Sequence, residues 1–199
     1  MVFEYAVVLT GGIATGKSSI AKMFLADGFT LIDADKVVHE MLDRHSNKVA
    51  ELFGQEYVEE GSVNRKQLGE LIFSKPEEKL RLEKLLHPLI FSEIEKLSDE
   101  ADKKQQAYIV DIPLFFETKR YPIEKVVVVY TSSKLQLERL MERDGSTREG
   151  AQKRIDSQLD IEKKKHWGTY LIDNSLDRSH LQQEYDRVKK EILDFFKGQ

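Results

Sequence analysis

"YAVVLTGGIATGKSS", residues 5–19, decides the fold. Its opening, Tyr5–Thr10, is short, β-branched and followed by glycines, the pattern of a buried strand. Gly11-Gly12-Ile13-Ala14-Thr15-Gly16-Lys17-Ser18 matches G-x-x-x-x-G-K-[ST] in full. "SSIAKMFLADG" then reads as a helix that ends near Gly28. A strand, a glycine loop and a helix in that order form a cradle for phosphate. Glycines let backbone N–H groups turn inward around phosphate oxygens, and the helix N-terminus adds positive potential. A lysine here reaches the β- and γ-phosphates, and a serine hydroxyl can bind Mg²⁺. The nucleotide-binding residues are therefore Gly12, Ile13, Ala14, Thr15, Gly16, Lys17, Ser18 and Ser19, with Ser18 also on the metal.

Four more apolar runs follow: "FTLID" (Phe29–Asp33), "AYIVDI" (Ala107–Ile112), "EKVVVVYT" (Glu124–Thr131) and "TYLIDN" (Thr169–Asn174). Runs that are apolar throughout belong to strands covered on both faces, as in a parallel sheet. Their alternation with helical patterns implies a doubly wound α/β fold. Two stretches break the alternation. Residues 36–98 show helical periodicity and no strand candidate, which predicts a helical insertion. Pro88 is expected to bend or break its last helix, and "SDEADKKQQ" to act as a linker back to the sheet. Residues 134–165 read as two charged helices around "DGST".

The chain has 199 residues, enough for one domain with a real core and small insertions. Its net charge of −4 gives no reason to expect nucleic acid or an anionic membrane as a partner. No apolar run approaches the ~18 residues of a membrane span. "MVFEYAVVLTGG" lacks the basic start and cleavage site of a signal peptide. The absence of cysteine excludes disulfides and Cys-ligated zinc and suits a cytoplasmic location. The insertion shows no surplus apolar stripe, so a monomer or weak homo-oligomer is expected.

The loop alone leaves kinase, GTPase and ATPase open. "NKVA" at Asn47 lacks the Asp of a guanine-reading N-K-x-D, and no D-x-x-G occurs. A basic hairpin late in the chain suits a lid closing over a transferring phosphoryl group. On the acceptor side, "LIDADKVVHEML" follows the second strand. Ligands of open α/β sheets bind beyond the carboxyl ends of strands. Asp33 sits at such an end, near the cradle if the two strands are neighbours, where a carboxylate could take a hydroxyl's proton or help hold Mg²⁺. Asp35 is either a site residue or a helix N-cap, and His39 either a site residue or a solvated one. In "YIVDIPLFFE", Asp111 has the layout of a Walker B carboxylate that supports Mg²⁺ through water. Leu114, Phe115 and Phe116 are expected in the core, whereas Glu117 is a surface acid or a wall of the site.

"TGGIATGKS", "IDADKVVHE", "HP" at 87–88, "DIPLFFE", "QLERLMERD" and "YLIDNS" stand in the order and spacing of dephospho-CoA kinases, and the chain resembles that family over nearly its whole length. The resemblance implies an α/β P-loop three-layer fold with a five-stranded parallel sheet, a helical acceptor-binding insertion and a helical lid. It implies transfer of the ATP γ-phosphate to the ribose 3′-hydroxyl of dephospho-CoA, with Mg²⁺. The family architecture maps the core to 1–35, 99–133 and 166–199, the acceptor domain to 36–98 and the lid to 134–165. By similarity Asp33 is the base, and Asp35, His39, Arg65, His87, Pro88 and Asp111 belong to the acceptor side. Arg139 and Arg143, four apart on one helix face, would come down on the phosphates beside Lys17. The sequence departs from the pattern at Gly168-Thr169, usually Ala-Asp, and at Leu176, often glycine, positions expected near adenine. Ala14 replaces a more usual glycine, which requires backbone angles there that tolerate a Cβ. The rival readings are another small-molecule kinase on this scaffold and a nucleotide-dependent switch.

Overall fold

A computed structural model describes residues 2–198. The continuous apolar runs form strands β1 (Ala6–Gly11), β2 (Leu31–Asp33), β5 (Tyr108–Asp111), β6 (Val126–Tyr130) and β7 (Tyr170–Asp173). They build one five-stranded sheet in the order β2-β5-β1-β6-β7. The pairings of β1 with β5 and β6, and of β6 with β7, are parallel, with Leu9 opposite Asp111, Gly11 opposite Val129 and Tyr130 opposite Asp173. Register and direction together bring the carboxyl ends of these strands to one edge. β1 and β2 are not neighbours, because β5 lies between them. The strand that ends in Asp33 is therefore two places from the loop-bearing one, so strand adjacency gives no argument for Asp33, whose candidacy as base rests on the family resemblance alone.

Both faces of the sheet are covered, as the unbroken apolar runs require. Helices α1 (Lys17–Ala26) and α10 (Arg178–Lys197) pack Ile20, Phe24, Tyr185, Val188 and Ile192 on the face of Val7, Leu9, Val127, Val129 and Ile172. The Tyr185 hydroxyl donates to Asp27 at 2.7 Å and so ties α10 to the end of α1. On the opposite face Val8, Val110 and Val128 are also fully buried, and α9 (Ile161–Trp167) packs on β6. Each such burial stabilises the fold by ~1.5–3 kcal/mol.

The chain divides into two compact units: residues up to Ile32 with Ser98 onward, and Asp33–Leu97. The second unit contains α2 (Ala34–Arg44), α3 (Ser46–Phe53), α4 (Arg65–Ser74) and most of α5 (Pro76–Asp102). Contrary to the sequence reading, it also contains strands β3 (Val58–Glu59) and β4 (Ser62–Val63), an antiparallel hairpin. The turn between them places Glu60 at φ 49° and Gly61 at φ 82°, the pair of positive angles of a tight hairpin turn. Two-residue strands carry no periodicity to detect.

Pro88 does not end its helix: α5 runs 27 residues with Pro88 inside. Pro88 lies on the exposed face of α5, while Leu82, Leu86 and Ile94 hold the helix by burial. The expected linker is also mostly helical. Ser98 and Ala101, three apart, are buried, and Asp102 at the end of α5 accepts from the Tyr5 N–H at 2.9 Å, so this stretch is packed helix up to Asp102 rather than a linker. Residues 134–165 hold α7 (Ser133–Asp144) and α8 (Arg148–Asp156), and most of α9 as a third helix the sequence reading did not separate. Among 114–116 only Phe115 is buried, on the short α6 (Phe115–Thr118); Leu114 is exposed. Among the described residues, no helix is long and apolar enough to cross a membrane.

Candidate active site

The loop between β1 and α1 is built by close approach. A Cβ on Gly11 would lie 2.7 Å from Thr15 Oγ1 and from the Val129 carbonyl, so no side chain fits. Gly16 adopts φ 93°, which favours glycine, and there too a Cβ would strike Asn174. Ala14 has φ 60°, a left-handed conformation. The position therefore does not spare its Cβ, as the sequence reading required, and the alanine carries strain instead. Gly16 precedes α1 and offers no side-chain cap, whereas α2, α4, α7, α8 and α10 are capped by Asp33, Asn64, Ser132, Thr147 and Asp177. The Ser19 N–H donates to the Gly16 carbonyl at 2.9 Å, and no side chain caps the first-turn N–H groups of α1, an arrangement that receives an anion.

Lys17, the first residue of α1, donates to Asp111 Oδ1 at 2.5 Å. The loop lysine and the carboxylate that ends β5 therefore form one ion pair, largely withdrawn from water. Ser18 and Ser19 lie exposed on the first turn of α1.

Four side chains that sequence reasoning did not single out hold the loop backbone. Gln136 of α7 donates to the Ile13 carbonyl at 2.7 Å. Gln158 accepts from the Ile13 N–H at 2.9 Å. Asn174, just past β7, donates to the Thr15 carbonyl at 2.8 Å, and its own carbonyl accepts from Arg139 at 2.9 Å. The fully buried Lys164 of α9 donates to the Gly11 carbonyl at 3.1 Å. Its counter-ion is Glu117 at 2.7 Å, so Glu117 is an internal partner rather than a surface acid.

Arg139 and Arg143 do not converge on one partner. Arg139 reaches the loop through Asn174, whereas Arg143 is exposed and pairs with Asp144 at 2.7 Å. Asp144 also receives Arg154 of α8. Hydrogen bonds from Arg143 and Arg154 hold the Asp144 carboxyl well below the usual carboxylate range and clasp α7 to α8.

In the second unit Asp33, not Asp35, is the N-cap of α2, accepting from the Lys36 N–H at 3.1 Å. Asp35 and His39 lie exposed on that helix. Arg65, the first residue of α4, pairs with Asp43 at 2.6 Å. Burial pushes the Asp43 carboxyl up, but the Val63 N–H and Arg65 outweigh it, and the net shift is downward. His87 is half-buried on α5, next to exposed Pro88.

A family model described as dephospho-CoA kinase matches residues 5–179. The dephospho-CoA kinase of Sulfurimonas denitrificans is 49% identical over 192 residues, 96% of each chain. The chain belongs to the dephospho-CoA kinase family. A dephospho-CoA kinase of Helicobacter pylori is 43% identical over 97% of this chain and all of its own. The solved structure of the dephospho-CoA kinase from Campylobacter jejuni superposes with a TM-score of 0.73 at 35% identity, over 96% of this chain and 98% of that one. A shikimate kinase from Acinetobacter baumannii, at TM-score 0.52 and 17% identity over 95% and 93% of the two chains, shares the fold.

Against the family pattern, Gly168-Thr169 lies at the amino end of β7, away from the carboxyl edge that carries the loop. Thr169 Oγ1 donates to the Glu124 carbonyl and accepts from the Val126 N–H, and a Cβ on Gly168 would meet Val128 at 2.7 Å. At this departure from the pattern both residues take part in strand packing. Leu176 is exposed two residues past Asn174.

Proposed function

We propose that this chain transfers the γ-phosphoryl group of ATP to the ribose 3′-hydroxyl of dephospho-CoA, giving CoA and ADP. Membership of the family supports the reaction, and the observation that carries it is the formed loop with Lys17 held on Asp111. In the transfer the 3′-oxygen forms a bond to Pγ. The bond from Pγ to the β–γ bridging oxygen breaks, and the hydroxyl proton passes to Asp33. Capping leaves Asp33 able to do this, because a carboxylate has about four acceptor sites and the Lys36 N–H uses one. Lys17 and Arg139 supply positive charge where negative charge spreads over the transferring group. Gly12–Ser19 cradle the phosphates. Asp35, His39, Arg65, His87 and Pro88 serve the acceptor, and 134–165 is the lid.

Ser18 and Asp111 fit Mg²⁺. Such a site takes oxygen donors, one or two of them carboxylates, beside substrate phosphates and water. It therefore needs no cluster of three acidic, His or Cys side chains, and none occurs among the described residues. When bound, the ion neutralises charge on the β- and γ-phosphates.

The test is ADP release in Mg·ATP with a panel of acceptors: dephospho-CoA, nucleoside monophosphates, shikimate and gluconate. Release that depends on dephospho-CoA alone supports the assignment. Preference for another acceptor refutes it and keeps only the cradle.

A further inference from the structure

We propose that Lys164 is a positioning residue of the phosphate loop: from α9 its buried ammonium fixes the backbone at Gly11, where the loop begins, and at Pro113, just past Asp111. The inference rests on the reading of the loop as the ATP cradle. Lys164 is fully buried. An ammonium withdrawn from water is strongly unfavourable unless its donors are paired. It is ion-paired with Glu117 Oε1 at 2.7 Å, and it donates to the Gly11 carbonyl at 3.1 Å and the Pro113 carbonyl at 3.5 Å.

These partners join separate parts of the site. Gly11 is both the last residue of β1 and the first of the loop motif. Pro113 also accepts from Thr10 Oγ1 at 3.0 Å, so the ends of the β1 and β5 segments meet at this carbonyl. Glu117 Oε1 further accepts from the Leu159 N–H at 3.1 Å, binding the connection between α8 and α9 to the same pair. Buried ion pairs stabilise no better than well-packed apolar residues of similar volume. What this one adds is a fixed geometry. It sets where β1 releases the chain into the loop and where the segment carrying Asp111 stands relative to Lys17. Lys164 is fully buried and held by these groups, so it acts through the loop rather than on the phosphates.

The test pairs nucleotide affinity with kinetics. The double variant Lys164→Met, Glu117→Gln removes the buried charges together and keeps an acceptor for Leu159. ATP affinity is measured by titration without acceptor, then kcat and both KM values with dephospho-CoA. Because misplacement by ~1 Å costs ~10²-fold, kcat/KM for ATP is expected to fall by that order, with ATP affinity at least ~10-fold weaker. The KM for dephospho-CoA is expected to stay within about twofold, since no Lys164 contact serves the acceptor. A folded double variant with unchanged ATP affinity overturns the inference. So does an equal rise in both KM values, the mark of a general structural defect. If the double variant does not fold, Lys164→Gln serves instead. It keeps a donor for Glu117 but is too short to hold both carbonyls, and the same outcomes apply. A wild-type protein that binds ATP but ignores dephospho-CoA would refute the proposed reaction, while the ATP titrations would still decide the role of Lys164.

Discussion

Gly12→Ala tests how the loop is held. Gly12 is not among the glycines with positive φ, so its backbone accepts alanine without strain. The new Cβ would lie 2.4 Å from Gln136 Nε2, the atom that donates to the Ile13 carbonyl at 2.7 Å. Gln136 is only 2% exposed and cannot swing into water. Its displacement breaks that bond and leaves buried polar atoms unsatisfied, at a cost of ~1–3 kcal/mol. A stiffer unfolded chain returns ~0.4–1 kcal/mol. The net expectation is a loss of ~1–2 kcal/mol, or a fall in Tm of ~2–8 °C for a chain of this length. Urea and thermal denaturation of wild type, Gly12→Ala, Gln136→Ala and the double variant close a cycle. With Gln136 truncated, Gly12→Ala should cost nothing or stabilise slightly, because the obstacle is gone. The reasoning fails if Gly12→Ala is as stable as wild type, or if it loses the same free energy in both backgrounds.

Lys17→Met should lower kcat by ~10²-fold or more through lost charge stabilisation, and steady-state kinetics showing near-normal turnover would remove Lys17 from the cradle. Asp33→Asn should lower kcat far more than it raises KM, yet change stability by under ~0.5 kcal/mol, because Asn caps a helix as well as Asp; a pure KM effect would make Asp33 a binder instead. Ala14→Gly should relieve ~1–2 kcal/mol of left-handed strain against ~0.4–1 kcal/mol of added unfolded-chain entropy, so urea denaturation should show equal or greater stability. Asp144 has a depressed folded-state pKa, so its contribution is present above the unfolded value of ~3.9 and is lost as pH falls below it. Stability of Asp144→Asn should accordingly fall less steeply than wild type on acidification below about pH 4, and parallel acid limbs would count against the clasp.

The strands of the sheet were legible because each is a short, largely apolar run, and the structure shifts only their ends. The loop was legible because its glycines are dictated by close contacts. The glutamines that hold it were not. Gln136 shares a helix face with Leu140, four residues on, and a buried glutamine there looks like any surface polar residue until the loop packs on it. Lys164 stands inside "KKK" at 163–165, and only its phase with buried Ile161 three residues earlier marks which lysine turns inward. Pro88 misled because propensity is local, whereas Leu86 and Ile94 are held by packing from elsewhere in the chain. Asp33 was read from its strand end, but its capping role depends on where α2 begins, two residues earlier than a cap at Asp35 would put it.

The most direct test of the central claim is the mass of the product formed from dephospho-CoA and Mg·ATP, with ADP counted in the same reaction. One ADP for each product molecule heavier by one phosphoryl group, with the phosphate on the ribose 3′-oxygen, is the expected result. ADP that forms equally without dephospho-CoA, or an acceptor recovered unchanged, would contradict it.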